Sequence, residues 1–551
     1  MKYLKEFNDD SSYTEYIGAC TAITPVVCTC IEESHVHYNQ YDYAQVPLTF
    51  VALEDCTFSF AVSNSANTFA YSVDGGDTWV DYESGEDTQT VLAGEKIMWK
   101  SKNISVKNTS MGVFSSSGRF NVEGNIASII FGDDYRCLPS MYQYSSAFSS
   151  MFKENTNLVD ASNLSLPKTI DCTNLYRQTF FGCTSLVAAP KLPATSTTNT
   201  CYYYMFGNCT SLTTAPELPA TTLSEGCYNG MFKGCTSLTT APSLPAATLT
   251  SNCYNSMFYN CTSLTTAPSV LPATTLAERC YNSMFYGCTS LTTAPSLPAT
   301  TLARGCYFQM FYGCKSLIYA PVLPATTLER ECYKYMFRGC TSLKLAPALP
   351  ATTVSYSGYS GMFQGCTSLT VMPDLPATTL DEYCYKDMFF QCTGITTGPA
   401  VLPATELKPY CYQSLYNGTA IKTPPIIMAT TLATWCFWQM FTNCKQLETA
   451  PKLSCTTLYE GCYSRMFQNC PLLTESPILP AQTLTKQCYY GMFQDCRNMK
   501  KVTCLATDIS ASECVAGMLN SVSRTGTFYK DPSMNDWTII PSGWTVEDYQ
   551  P

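Results

Sequence analysis

A Met-Phe step returns along this chain at residues 151, 205, 231, 257, 284, 310, 336, 362, 388, 440, 466 and 492. Variant steps at Thr179-Phe180, Leu415-Tyr416 and Met518-Leu519 fill the remaining places. Self-similarity at one fixed interval is the mark of a stack in which each unit covers the apolar face of the next. The interval predicts about fifteen repeats of about 26 residues. At a strand spacing of about 4.8 Å, they would make a rod on the order of 70 Å long.

One unit spans Cys227 to Leu249, and the next starts at Cys253. Leu223, Cys227, Met231 and Cys235 fall every fourth residue, which predicts the buried stripe of a short helix. Thr222 and Glu225 have the spacing of a capping box, as do Thr275/Glu278, Thr379/Glu382 and Thr457/Glu460. Gly234, Asn208 and Asn260 suit the left-handed residue that closes a helix. Leu238 to Pro242 then reads as a very short parallel strand, and Leu-Pro-Ala-Thr-Thr turns the chain back.

The expected fold is therefore an α/β leucine-rich-repeat solenoid, right-handed, over residues 136–520. A small all-β sandwich is expected before it over residues 47–135. There Thr57 to Val62 alternates apolar and polar positions and Asp74-Gly75-Gly76 marks a turn. Residues 1–46 are too few to fold alone and read as an attachment arm. Residues 521–551, with Phe528, Tyr529, Trp537 and Trp544, read as the cap that such a stack needs.

The chain holds 32 cysteines. Most fall in two rows along the rod, from Cys201 to Cys514 before Tyr or its equivalent and from Cys183 to Cys496 after Gly or its equivalent. Cysteine is a small hydrophobe that suits a stacked row. Gly358 interrupts one row and Thr419 the other, which a disulfide scheme would tolerate poorly. Cys28, Cys30, His35 and His37 form a separate cluster that has the donor types of a tetrahedral zinc site. Alternation along one strand would also place each pair on one face by accident.

Function classes narrow quickly. A net charge of −10 opposes nucleic acid or an anionic membrane as partner. Met1 to Asp10 lacks the apolar core of a signal peptide, and no apolar run of membrane-spanning length occurs. The only histidines are His35 and His37, so a Ser-His or Cys-His centre on the rod is not expected. Carboxylates such as Glu329, Glu331, Asp381 and Glu382 read as a solvated face. No cofactor is expected.

The string Cys-Thr-Ser-Leu-Thr-Thr-Ala-Pro-x-Leu-Pro-Ala-Thr-Thr-Leu-x-x-x-Cys-Tyr-x-x-Met-Phe-x-Gly resembles the BspA-like, Treponema-type leucine-rich repeat. It is similar to the version found in gut Bacteroidales and their phages. The resemblance covers roughly residues 145–520, and Met-Phe stands where the family carries Ala-Phe. The segment from Met1 to Asn39 resembles a leader of predicted phage virion proteins. Pro47 to Phe50, Tyr71 to Trp79 and Gly94 to Trp99 resemble the β-domain that precedes such repeats. Pro541 to Val546 resembles their ending.

The resemblance implies a virion surface or tail adhesin for host glycan or protein, seated on other virion proteins through the arm, with a homo-oligomer compatible. A spacer without a ligand and a host-encoded bacterial surface adhesin remain open readings. Candidate contacts are departures from the repeat. The outward residue after each strand Leu is Thr at 214, 240, 266, 293, 397 and 449, but becomes Tyr319, Leu345 and Val371 in three consecutive units. Ile318, Lys344 and Met372 flank them, and Trp435 and Trp438 mark an irregular unit nearby.

Overall fold

The computed structural model describes residues 43–137 and 140–550. All but the last four residues of the expected arm, and with them Cys28, Cys30, His35 and His37, lie outside the described residues.

Strands β1 (Leu48–Ala52), β2 (Phe58–Val62), β3 (Thr68–Ser72), β4 (Val80–Tyr82), β5 (Lys96–Asn103), β6 (Gly112–Ser116), β7 (Phe120–Asn125) and β8 (Leu158–Ser165) follow the chain. Their main sheet has the order β4-β3-β5-β1-β7-β8, and β2 pairs with β6 separately. Phe60 of β2 stacks on Phe114 of β6 at 4.0 Å, and Phe50 of β1 meets Phe114 edge-on at 4.9 Å. The β3–β4 turn is fixed by its own side chains. Thr78 N–H donates to Asp74 at 2.9 Å, and the Trp79 indole N–H donates to Gly76 O at 3.0 Å. The Thr78 hydroxyl and amide hold the Asp74 carboxyl well below the usual carboxylate range.

β8 belongs to the first repeat, yet it extends this sheet by pairing in parallel with β7. The N–H groups of Met111 and Phe114 donate to the carbonyls of Ala147 and Met151 in the same repeat. The β-region thereby closes the N-terminal end of the stack, and a single buried core runs from Leu48 to Trp544.

The stripe expected as a helix is buried but not helical. Among the described residues the one α-helix is Ser128–Phe131, outside the repeats. From Asn252 to Cys261 the backbone is a ribbon of overlapping turns. Residues 252, 256 and 260 have φ of 57°, 54° and 58°, and every later unit up to Ser521 repeats this left-handed step at four-residue intervals. An α-helix cannot contain it. The N–H groups of Asn255, Met257 and Tyr259 bond three residues back, while those of Tyr254, Ser256 and Phe258 donate to Cys280, Asn282 and Met284 of the next unit. Alternate amides thus bind within and between units, and no carbonyl of the ribbon needs a helical partner.

The capping boxes do not form either. Thr222 pairs with Ser196 and Thr275 with Thr301 in parallel bridges, and Thr379–Leu380 pairs with Thr353–Val354. Glu278 turns outward to Arg304 at 3.7 Å and Glu460 to Lys486 at 2.9 Å. The expected strand at Leu238–Pro242 shrinks to single parallel bridges, as in Thr214↔Thr240 and Thr240↔Thr266.

Side chains stack in rows inside this frame. Tyr202 and Tyr228 lie 5.5 Å apart at 2°, and Phe206 and Phe232 lie 5.7 Å apart at 5°. Cys56 and the cysteines from Cys172 to Cys514 are free thiols and buried. Those of the second row have a use that the sequence did not reveal: Cys261 Sγ donates to Phe232 O at 3.0 Å, and Cys288 and Cys314 repeat the contact on Phe258 and Phe285. Where Thr419 interrupts the row, its hydroxyl donates to Tyr416 O at 2.8 Å.

At the far end, Lys501–Cys504, Gly526–Lys530 and Trp544–Asp548 continue a parallel sheet that starts at Glu475–Leu479. Phe528 and Trp544 are buried, and Trp537 meets Phe528 edge-on at 4.9 Å. The last strand leaves Glu547 and Asp548 exposed, which discourages a further strand from adding there.

Candidate functional site

Three surfaces depart from the repeat. On the ladder that is mostly threonine, Tyr319 pairs with Thr293 on one side and Leu345 on the other, and Val371 pairs with Thr397. Tyr319 is 62% exposed, Leu345 60% and Val371 48%. The structure therefore brings these three predicted residues onto one face. Lys344 is exposed beside them, and Ile318 is half-buried with its carbonyl accepting the Lys344 N–H at 3.0 Å. Met372 is a correction. It is buried, because the alternation that turns Val371 outward turns its neighbour into the core. Sequence reasoning missed Val322, three residues beyond Tyr319 and 78% exposed. Three and four units earlier in the chain, a cleft of about 380 Å³ lies between the corresponding positions, with Thr214, Glu217, Thr240 and Ser243 in its walls.

Trp435 and Trp438 pack against each other at 5.4 Å and are both half-buried. Trp435 has φ of 58°, on a left-handed step of the ribbon, and its ring covers Gly461 of the next unit. Covering that glycine accounts for Trp435 without a ligand.

The ribbon face carries features that sequence reasoning passed over. Tyr259, Tyr286 and Tyr312 stack on successive units at 4.4 and 4.5 Å. Lys233 sits over the first ring at 4.7 Å and Arg338 over the last at 5.4 Å. Burial, with the flanking phenols, pushes the Tyr286 hydroxyl up to about 12. Faces stacked in this way are closed to a ligand, and the ring edges and hydroxyls remain. Beside them runs a groove of about 560 Å³ lined by Asn208, Asn260, Thr236, Tyr286 and Tyr312 over a glycine floor. Further along, Asn443 donates to Asn417 at 3.3 Å and Asn469 to Asn443 at 2.8 Å. Cavities of about 390 and 370 Å³ flank this amide row. Asp387 lies one unit before, and burial raises its carboxyl above the ordinary range. Asn and Gln in place of Gly, at 391, 443 and 469, were the available signal.

Among the described residues, no group of three or more His, Cys, Asp or Glu is placed to hold a metal. No described helix is long and apolar enough to cross a membrane.

Short parallel bridges, stacked apolar rows and a fixed repeat define a leucine-rich-repeat solenoid. The model of the BspA type leucine rich repeat region matches in 6 copies, over residues 146–292 and 254–396. That stretch is a BspA-type leucine-rich repeat region. A crystal structure of a leucine-rich repeat protein from Bacteroides ovatus ATCC 8483 is similar at 16% identity with a TM-score of 0.29, covering 71% of this chain and 78% of that one. No curated protein matches the sequence.

Proposed function

We propose that the chain is a non-enzymatic adhesin, carried on a phage particle, that contacts protein or glycan on the surface of a host cell. Residues 1–46 would seat it on other virion proteins. The observation that supports recognition is the exposed group Tyr319, Val322, Leu345 and Val371 on a face otherwise lined with threonine. Aromatic and aliphatic side chains held on a rigid ladder lose little entropy when a partner covers them, so they are effective anchors. Leucine-rich repeats serve in general as binding scaffolds, and the resemblance of the leader and the β-region to phage proteins supports the virion setting.

Binding of the purified full chain to intact host cells tests this reading. Tyr319→Thr combined with Leu345→Thr restores the ladder residue and leaves the core intact. It should weaken binding by about tenfold or more. Unchanged binding would remove the apolar group from the reading, and a parent chain that binds no host cell would favour a spacer.

A further inference from the structure

We propose that the ribbon face is a second recognition surface, a groove for an extended neutral polysaccharide, with its tightest subsite on the amide row Asn417–Asn443–Asn469. The proposal rests on the recognition reading but uses a different face. The groove by Asn208 and Asn260 and the cavity by Gln391 and Asn443 occupy the same position in different units. In both, the left-handed residue that ends the ribbon forms one wall. The residue two places later forms the other: Thr210, Thr236, Thr262, Thr289 and Lys315 in the first, Thr393 and Lys445 in the second.

The chemistry of the walls selects the ligand. Asn443 and Asn469 are held by their neighbours, so the remaining N–H groups and lone pairs have fixed directions before anything binds. An oriented amide offers donor and acceptor together, which is what vicinal hydroxyls need. Fixing it beforehand removes part of the entropic cost of binding. Gln439, Gln446, Gln468 and Thr442 add neutral groups around the same row. Asp495 at one end and Lys445 alongside are the charged groups in these two walls, and they are of opposite sign. At the amide row an acidic glycan or a nucleic acid therefore finds no cationic track.

Periodicity selects a polymer. Equivalent groups recur once per unit, with ring centroids of successive units 4.4 Å apart at Tyr259–Tyr286 and 5.6 Å apart at Phe441–Phe467, and a pyranose in an extended chain advances by a comparable length. One sugar can then face one unit.

The test uses the full chain in native gels cast with neutral polysaccharides: mannan, galactan, a β-1,3-glucan and a β-1,4-glucan. At least one should retard the parent chain. Asn443→Gly with Asn469→Gly should weaken that retardation at least tenfold. Glycine is native at this position in other units, with φ of 71° at Gly287 and Gly313, so the backbone tolerates the change and an unchanged melting temperature would show it. Tyr319→Thr with Leu345→Thr should leave retardation as it was, which separates this groove from the apolar group. Retardation by none of the four, or equal retardation of the glycine variant, overturns the proposal.

Discussion

The indole of Trp435 fills the space that a side chain on Gly461 would need. A Cβ built on Gly461 would come within 2.2 Å of the ring, and Gly461 itself has φ of 61°. The same pairing joins Tyr204 to Gly230 and Tyr335 to Gly361. In each of these three pairs a large ring lies over the bare backbone of the following unit, and the ring depends on that glycine.

Gly461→Ala should lose roughly 2–4 kcal/mol, from backbone strain and overpacking together. Adding Trp435→Gly should recover most of the overpacking share. Chemical denaturation of the two single variants and the double variant measures the coupling. Additive losses would show that the ring moves aside freely.

The buried thiols predict the behaviour at high pH. Burial pushes Cys235, Cys253 and Cys306 from an ordinary 9.0 up to about 12. The folded chain then keeps protons that the unfolded chain releases, so the stability they contribute is complete below about pH 9 and falls as pH climbs towards 12. Equilibrium unfolding between pH 8 and 11 should show a steepening loss. At pH 8 an aromatic disulfide reagent should leave these thiols unmodified until the chain is unfolded.

Several core tyrosines stack well but bury a hydroxyl that has no hydrogen-bond partner, Tyr333 among them. Phe437 already occupies the equivalent place two rings beyond Tyr385, stacked on Tyr412 at 5.7 Å. Tyr333→Phe should therefore keep the stack and gain about 1 kcal/mol by removing a desolvated polar group. A lower melting temperature would mean that the hydroxyl is satisfied.

Ending the chain after residue 520 removes the two final strands and uncovers the edge of Lys501–Cys504. The shortened protein should associate through that edge, and light scattering against concentration detects it. A shortened chain that stays monomeric would show that these strands do not guard the end.

Much of this architecture is legible in the sequence, because burial follows the repeat. Leu, Cys, Met and Phe occupy the predicted inside positions whatever the backbone does. The backbone was misread because apolar residues every fourth place fit a helix and a ribbon of four-residue turns equally well. The discriminating signal was the phase of Gly, Asn and Ser, as in Gly226, Gly230 and Gly234, where a helix wants good helix formers. The apolar group was found because Tyr319 and Leu345 break a threonine ladder. Met372 was placed on the wrong side because its neighbour faces out. The amide row escaped notice because asparagines at this place, Asn208 and Asn260 among them, read as helix ends.

Amides that alternate between their own turn and the following one make every layer a template for the layer above it. Length is then a quantity this molecule can change without being redesigned. Deleting residues 253–279, or copying them in tandem, should move the two capped ends together or apart by one layer. Reach is therefore the trait that selection could tune most readily.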